Sequence, residues 1–195
     1  MAKVLLVTGG IGSGKSFVVR TLEALGVPSY DCDSRAKELY DSDPLLLRQV
    51  GQIVPGCISP CGRLDRRILA AAIFGDRQKL EAVEAAVHPA LIRDFEKWRS
   101  AQSAPVVAIE SAIMLEKPVF DKLYDFSLSV TCPAEIRLLR VMERDSCDRE
   151  QALERMANQW SDERRSAASD RTIANDGTSQ ILPTLIETIE TIKKS

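Results

Sequence analysis

The chain has 195 residues, 45% of them hydrophobic, and a formal net charge of −2. That is enough apolar material for one well-buried core, and the charge gives no general attraction to nucleic acid or anionic lipid. Apolar runs are short and broken by charge, and no basic segment precedes a long apolar one, so neither a membrane span nor a secretory signal is expected. A soluble cytoplasmic protein with no obligate protein partner follows, in which local groups must hold any anionic ligand.

In chain order, Lys3–Thr8 (KVLLVT) is a continuous apolar run that suits a parallel strand buried on both faces. Gly9, Gly10, Ile11, Gly12, Ser13 and Gly14 form a glycine-rich turn. Lys15–Leu25 then reads as a helix with Val18, Val19, Leu22 and Leu25 inward, stopped by Gly26 and Pro28. A short extended run ends near Tyr30–Asp33. Pro105–Ile109 and Phe126–Thr131 read as further buried strands, and Arg171–Ala174 as a weaker one before the turn at Asn175–Gly177. The last helix fits Ser179–Lys193, with Ile181, Leu185, Ile189 and Ile192 at helical spacing.

Alternating strands and helices imply an α/β fold, a three-layer arrangement around a parallel sheet. The sheet core is expected at about 1–33, 102–132 and 170–195 of a single domain. Two helical insertions, about 34–101 and 133–169, are too long for plain crossovers and read as an acceptor-covering region and an Arg-rich lid. The first holds turn signals at Pro55-Gly56 and Pro60-Cys61-Gly62. Cys57 and Cys61 have no second Cys pair and His88 is the one histidine, so structural zinc is not indicated.

Gly9 through Ser16 satisfies G-x-x-x-x-G-K-[ST] with a strand before it and a helix after it. Glycines let successive N–H groups turn inward onto phosphate oxygens, and the helix N-terminus adds partial positive charge. In such a loop Lys15 reaches the β- and γ-phosphates, and the Ser16 hydroxyl ligates Mg²⁺, so ATP and Mg²⁺ are the expected ligands. The D-x-x-G and N-K-x-D motifs of switch GTPases and the L-S-G-G-Q signature of transporter ATPases are absent.

Asp31-Cys32-Asp33 reads as an extended run, so Asp31 and Asp33 are expected to point the same way at the carboxyl end of a strand beside the first, where ligands bind in open α/β sheets. Either could accept a proton from an attacking hydroxyl or help hold Mg²⁺; alternatively Asp33 caps a helix starting near Ser34. Arg137, Arg140 and Arg144, at i, i+3 and i+7, form one stripe. A polyphosphate would relieve their mutual repulsion, while Glu135, Glu143 and Asp145 offer a plain solvated alternative. Glu110 ends a central strand within reach of a Mg²⁺ shell. His88-Pro89 begins a helix, Asn175 follows the last strand near the expected nucleotide base, and Trp98 and Trp160 are packing residues.

Taken in order, Thr8–Ser16, Leu25-Gly26-Val27-Pro28, Asp31-Cys32-Asp33, Gly62–Arg66, His88-Pro89, Arg155–Gln159 and Ile173-Ala174-Asn175 resemble the dephospho-CoA kinase family across essentially the whole chain. The resemblance implies a P-loop fold and transfer of the ATP γ-phosphoryl group to the 3′-hydroxyl of dephospho-CoA. It implies Asp33 as base and Arg66 and His88 in the acceptor region. It also implies Arg140 in the lid and Asn175 near adenine. Phe17, counted with the nucleotide-binding residues, stands where the family usually has Thr; Cys32 replaces Ala, and Ser111–Glu116 departs from the family pattern. The rival readings are another small-metabolite or nucleoside-monophosphate kinase, and a regulator that binds ATP without turning it over.

Overall fold

The structure, a computed structural model, describes residues 1–194. Five parallel strands, β1 (Lys3–Thr8), β2 (Ser29–Asp31), β3 (Val106–Glu110), β4 (Phe126–Thr131) and β5 (Arg171–Ala174), lie in the order β2-β3-β1-β4-β5. Val4, Leu5, Leu6 and Val7 are all fully buried, as a central parallel strand covered on both faces requires. One core cluster joins Leu5, Val7, Ala108, Leu128 and Val130 of the sheet to helix α1 (Lys15–Ala24), through Val18, Val19 and Leu22. The same cluster takes in the last helix through Leu185, Ile189 and Ile192.

The chain divides into two compact units. One is Met1–Asp31 with the chain from Arg99 onward, and the other is Cys32–Trp98. The second is helical: α2 (Cys32–Ser42), α3 (Pro44–Ile53), α4 (Arg66–Ile73) and α5 (Arg77–Ser100), the last running two residues beyond it. Asp43 and Asp65 cap α3 and α4, each accepting two amide hydrogen bonds. In the sheet-bearing unit α6 (Ala134–Asp145), α7 (Arg149–Ala157) and α8 (Asp162–Ala167) lie between β4 and β5, and α9 (Leu182–Lys194) closes the described chain.

The ends of the elements show where local chemistry overrides pattern. At the end of α1, Gly26 adopts φ +82° and its N–H, with that of Val27, reaches back to the carbonyls of Glu23 and Leu22. The run Asp31-Cys32-Asp33 is not extended. Pairing with β3 ends at Asp31, and α2 begins at Cys32, with Asp33 in its first turn. There a carboxylate meets the positive end of the helix dipole, so Asp33 lies inside the helix and does not cap one starting at Ser34. Nor does β2 border β1, because β3 lies between them.

His88-Pro89 does not start a helix; both sit within α5. Proline in a helix costs about 3 kcal/mol. Val83, Val87, Ala90, Leu91 and Phe95 are buried on either side of it, and at roughly 1.5–3 kcal/mol for each large side chain their burial outweighs that cost. At the other end of the chain the Asp176 carboxylate accepts from the amides of Thr178 and Ser179 at 2.9 and 2.8 Å. That turn occupies the residues expected to open the last helix, which starts at Leu182 instead.

Leu185 is fully buried in the core cluster. Leu185→Ala should lower unfolding free energy by about 2–5 kcal/mol in urea titration; a loss below about 1 kcal/mol would remove α9 from the core.

Candidate active site

β1 delivers Gly9 at the carboxyl edge of the sheet, and the loop closes on itself before α1 begins: Ser13 N–H donates to Gly10 O at 3.1 Å. Gly12 and Gly14 adopt φ +79° and +90°, a region open to glycine at little cost. Gly14 occupies the N-cap of α1 with no side-chain cap, which suits a helix end that receives an anion. Lys15 Nζ lies back across the loop, 3.1 Å from Gly9 O and 3.5 Å from Gly10 O. The Ser13 hydroxyl is buried without a hydrogen-bond partner among the described residues, a polar atom that a ligand in the loop could satisfy.

Ser16 Oγ donates to Glu110 Oε1 at 3.2 Å. Glu110 ends β3, in register with Val7 of β1 and Asp31 of β2, so two carboxylates end neighbouring strands on the loop side of the sheet. A hydroxyl and a carboxylate oxygen this close are hard donors of the kind Mg²⁺ takes one or two of, its other positions going to phosphate and water. The residues therefore fit that ion.

The arginine stripe separates into three roles. Arg137 is buried; its Nε donates to Ile11 O at 3.0 Å and its Nη1 pairs with Asp162 at 2.9 Å. Arg144 is turned to Asp145 on the surface. It aligns with Arg137 around the helix but lies seven residues on, about 10 Å along the axis, too far to share a phosphate site. Arg140 Nη1 is 3.3 Å from Gly12 O and 3.4 Å from Cys132 Sγ. Burial pushes the Cys132 thiol up, against the pull of Arg140 and Arg137, so it stays a weak neutral acceptor. Among the described residues no carboxylate pairs with Arg140.

Asn175 Nδ2 donates to Ser13 O at 2.9 Å, and a β-carbon at Gly14 would stand 2.0 Å from that nitrogen. Phe17, in the first turn of α1, is half exposed. Thus Gly10–Ser16, Arg140, Asn175 and Glu110 come together in one compact unit, which also holds Asp31 and Phe17. Asp33, Arg66 and His88 belong to the other. Within it, Arg66 donates to Lys37 O at 3.1 Å and pairs with Asp41 at 3.3 Å, and His88 is buried. An open cavity of about 430 Å³ there is lined by Arg63, Arg66 and Arg67 beside the exposed Cys61.

One further contact reaches the loop from a residue that no spacing rule singles out, and a charged cluster backs Arg137. Ile11 N–H donates to Gln159 Oε1 at 2.8 Å across 148 residues of sequence. Behind Arg137, Asp162 also binds Arg165 at 3.0 Å; Arg165 is fully buried, 3.5 Å from Glu116, and donates to Trp160 O at 2.9 Å. Burial lowers the Arg165 pKa while Asp162 and Glu116 raise it. Glu116 lies in the segment that departs from the family pattern; it accepts from the Trp160 N–H at 3.1 Å and pairs with this structural arginine. Trp160 packs under the Arg164 guanidinium, 3.9 Å from the ring centre.

The family model described as dephospho-CoA kinase matches residues 3–180. A dephospho-CoA kinase of Porphyromonas gingivalis is 39% identical over 96% of this chain and 93% of that protein, and one from Bacteroides fragilis is 33% identical over 97% and 92%. A crystal structure from Thermus thermophilus superposes with TM-score 0.86 at 30% identity, covering 97% of each chain. A shikimate kinase from Acinetobacter baumannii, at 15% identity and TM-score 0.54, shares the fold alone.

Asp162 lies between two buried guanidinium groups. Asp162→Ala should cost about 3–5 kcal/mol of unfolding free energy, because removing one partner leaves buried charge uncompensated. Chemical denaturation reads this directly, and a loss under about 1 kcal/mol would mean that Asp162 does not compensate these two guanidinium groups.

Proposed function

The chain belongs to the dephospho-CoA kinase family and is an ATP-dependent phosphotransferase; from that premise we propose that it transfers the γ-phosphoryl group of ATP to the 3′-hydroxyl of dephospho-CoA, the last step of coenzyme A synthesis. For phosphoryl transfer the reading rests on Arg140, a cation beside the phosphate loop that, among the described residues, has only a carbonyl and a thiol to hold it. Phosphate oxygens carry full opposite charge and can take a guanidinium bidentately, which a carbonyl and a thiol cannot, so bound ATP would draw Arg140 onto its phosphates. For the acceptor it rests on family membership.

In this reading the amides at the start of α1 and Lys15 hold the β- and γ-phosphates. Ser16, with Glu110 beside it, holds Mg²⁺, which when bound neutralises phosphate charge. Asn175 orients the nucleotide at the far side of the loop, with Phe17 near it. Arg66 and its arginine neighbours suit an acidic pyrophosphate acceptor, and His88 is assigned to the acceptor region. The ribose 3′ oxygen attacks the γ-phosphorus as its bond to the β,γ-bridging oxygen breaks. The hydroxyl proton passes to Asp33, ADP departs, and Arg140 meets the charge on the transferred group. We place this chemistry in the cytoplasm; no helix among the described residues is long and apolar enough to cross a membrane.

Asp33→Asn tests the mechanism. As general base, its loss should reduce dephospho-CoA-dependent ADP release about 10²–10⁴-fold while both substrates still bind, measurable by calorimetry. If Asp33 serves only the α2 dipole, the change costs at most about 1 kcal/mol of stability and the variant stays active. Full activity would therefore remove Asp33 from the reaction.

A further inference from the structure

The phosphate loop is gripped on both sides of one residue, and neither grip belongs to the nucleotide. Ile11 N–H, part of the Gly10–Ile11 peptide, is held by Gln159, which follows α7. Ile11 C=O, part of the next peptide, is held by Arg137 of α6. Two successive peptide planes are thus fixed by side chains from the segment between β4 and β5. The loop has no side chains at Gly10 and Gly12 with which to fix itself.

The second grip has little freedom to slip. Arg137 is tied through Asp162 to Arg165, and Arg165 to Glu116 and Trp160 O. Rotating Arg137 away from Ile11 would strand a buried guanidinium and break a paired carboxylate. Gln159 is different. Among the described residues its side chain makes a single neutral hydrogen bond, at 2.8 Å, on a residue followed by the Trp160–Ser161 link into α8, so this grip is the one that can be removed without unpairing a charge.

We infer that Gln159 is a positioning residue for the reaction: by accepting the Ile11 amide it holds the first half of the phosphate loop in its nucleotide-receiving curl before ATP arrives, acting with the Arg137–Asp162 pair on the other side of Ile11. It does not touch ATP and is not catalytic. This rests on Gly9–Ser16 being the nucleotide loop, and it extends that reading from the loop's own residues to a side chain near the end of the lid segment.

The test compares the full-length wild type with Gln159→Met, which keeps length but loses the acceptor, and Gln159→Glu, which keeps an acceptor. Probes are ADP binding by calorimetry, KM for ATP against kcat, melting temperature, and hydrogen exchange at the Ile11 amide. In Gln159→Met, ADP affinity should fall and KM for ATP rise by roughly fivefold, the scale of one net hydrogen bond, with kcat held within about twofold. Ile11 exchange should quicken while Leu5 and Leu6 in β1 keep their protection, and Gln159→Glu should restore protection at Ile11. Unchanged ADP affinity in Gln159→Met would overturn the inference. So would a lowered melting temperature and kcat with KM and Ile11 exchange unmoved, the pattern of a merely structural residue. Failure of the wild type to bind ADP would instead remove the nucleotide-loop premise itself.

Discussion

At Gly10 a β-carbon would stand 2.2 Å from Arg137 Nη2, and at Gly12 one would stand 2.6 Å from Arg137 O. The arrangement around the loop depends on those missing atoms. Without side chains there, α6 can lie directly on the loop, Arg137 can reach Ile11 O, and Arg140 one turn later comes to Gly12 O. Glycine has a cost, since it loses more backbone entropy on ordering than any other residue, and fixing one residue costs about 1–2 kcal/mol. In this protein the segment between β4 and β5 meets part of that cost when the chain folds, by holding both sides of Ile11.

The charged groups around the loop divide by burial. Arg137, Asp162, Arg165 and Glu116 form an inward cluster whose members compensate one another. Replacing such a cluster wholesale by apolar residues is often neutral, while removing one member is expensive. Its role is therefore better described as fixing α6, α8 and the loop in one register than as adding stability. Arg140 stands apart because its partners are neutral. Among the described residues no carboxylate pairs with it, which is why we propose that it meets the nucleotide's phosphates.

Much of this was legible in the sequence because it is carried by short-range rules. β1, β3 and β4 come from apolar runs that read as buried strands, and the loop motif is contiguous. The misplacements came where two local signals competed. Asp33 suits both an extended pair and a first helical turn, and the end of the β2–β3 ladder at Asp31 decided for the turn. Pro89 reads as a helix start, yet buried residues on both sides carry α5 through it. Asp176 folded its neighbours into a turn that periodicity alone does not show. The grip on Ile11 was not legible at all, since its partners are 126 and 148 residues away, and the even spacing of the arginines concealed that burial assigns them different work.

The phosphate loop would suit many kinases of this fold, so the activity of this chain turns on which acceptor that loop serves. The direct measurement is ADP release by the purified protein with ATP, Mg²⁺ and each of dephospho-CoA, shikimate and AMP in turn, with the product identified by mass and by the position of its new phosphate. Turnover with dephospho-CoA alone, the product carrying phosphate on the ribose 3′ oxygen, is the result predicted. Turnover with another acceptor and none with dephospho-CoA would contradict it.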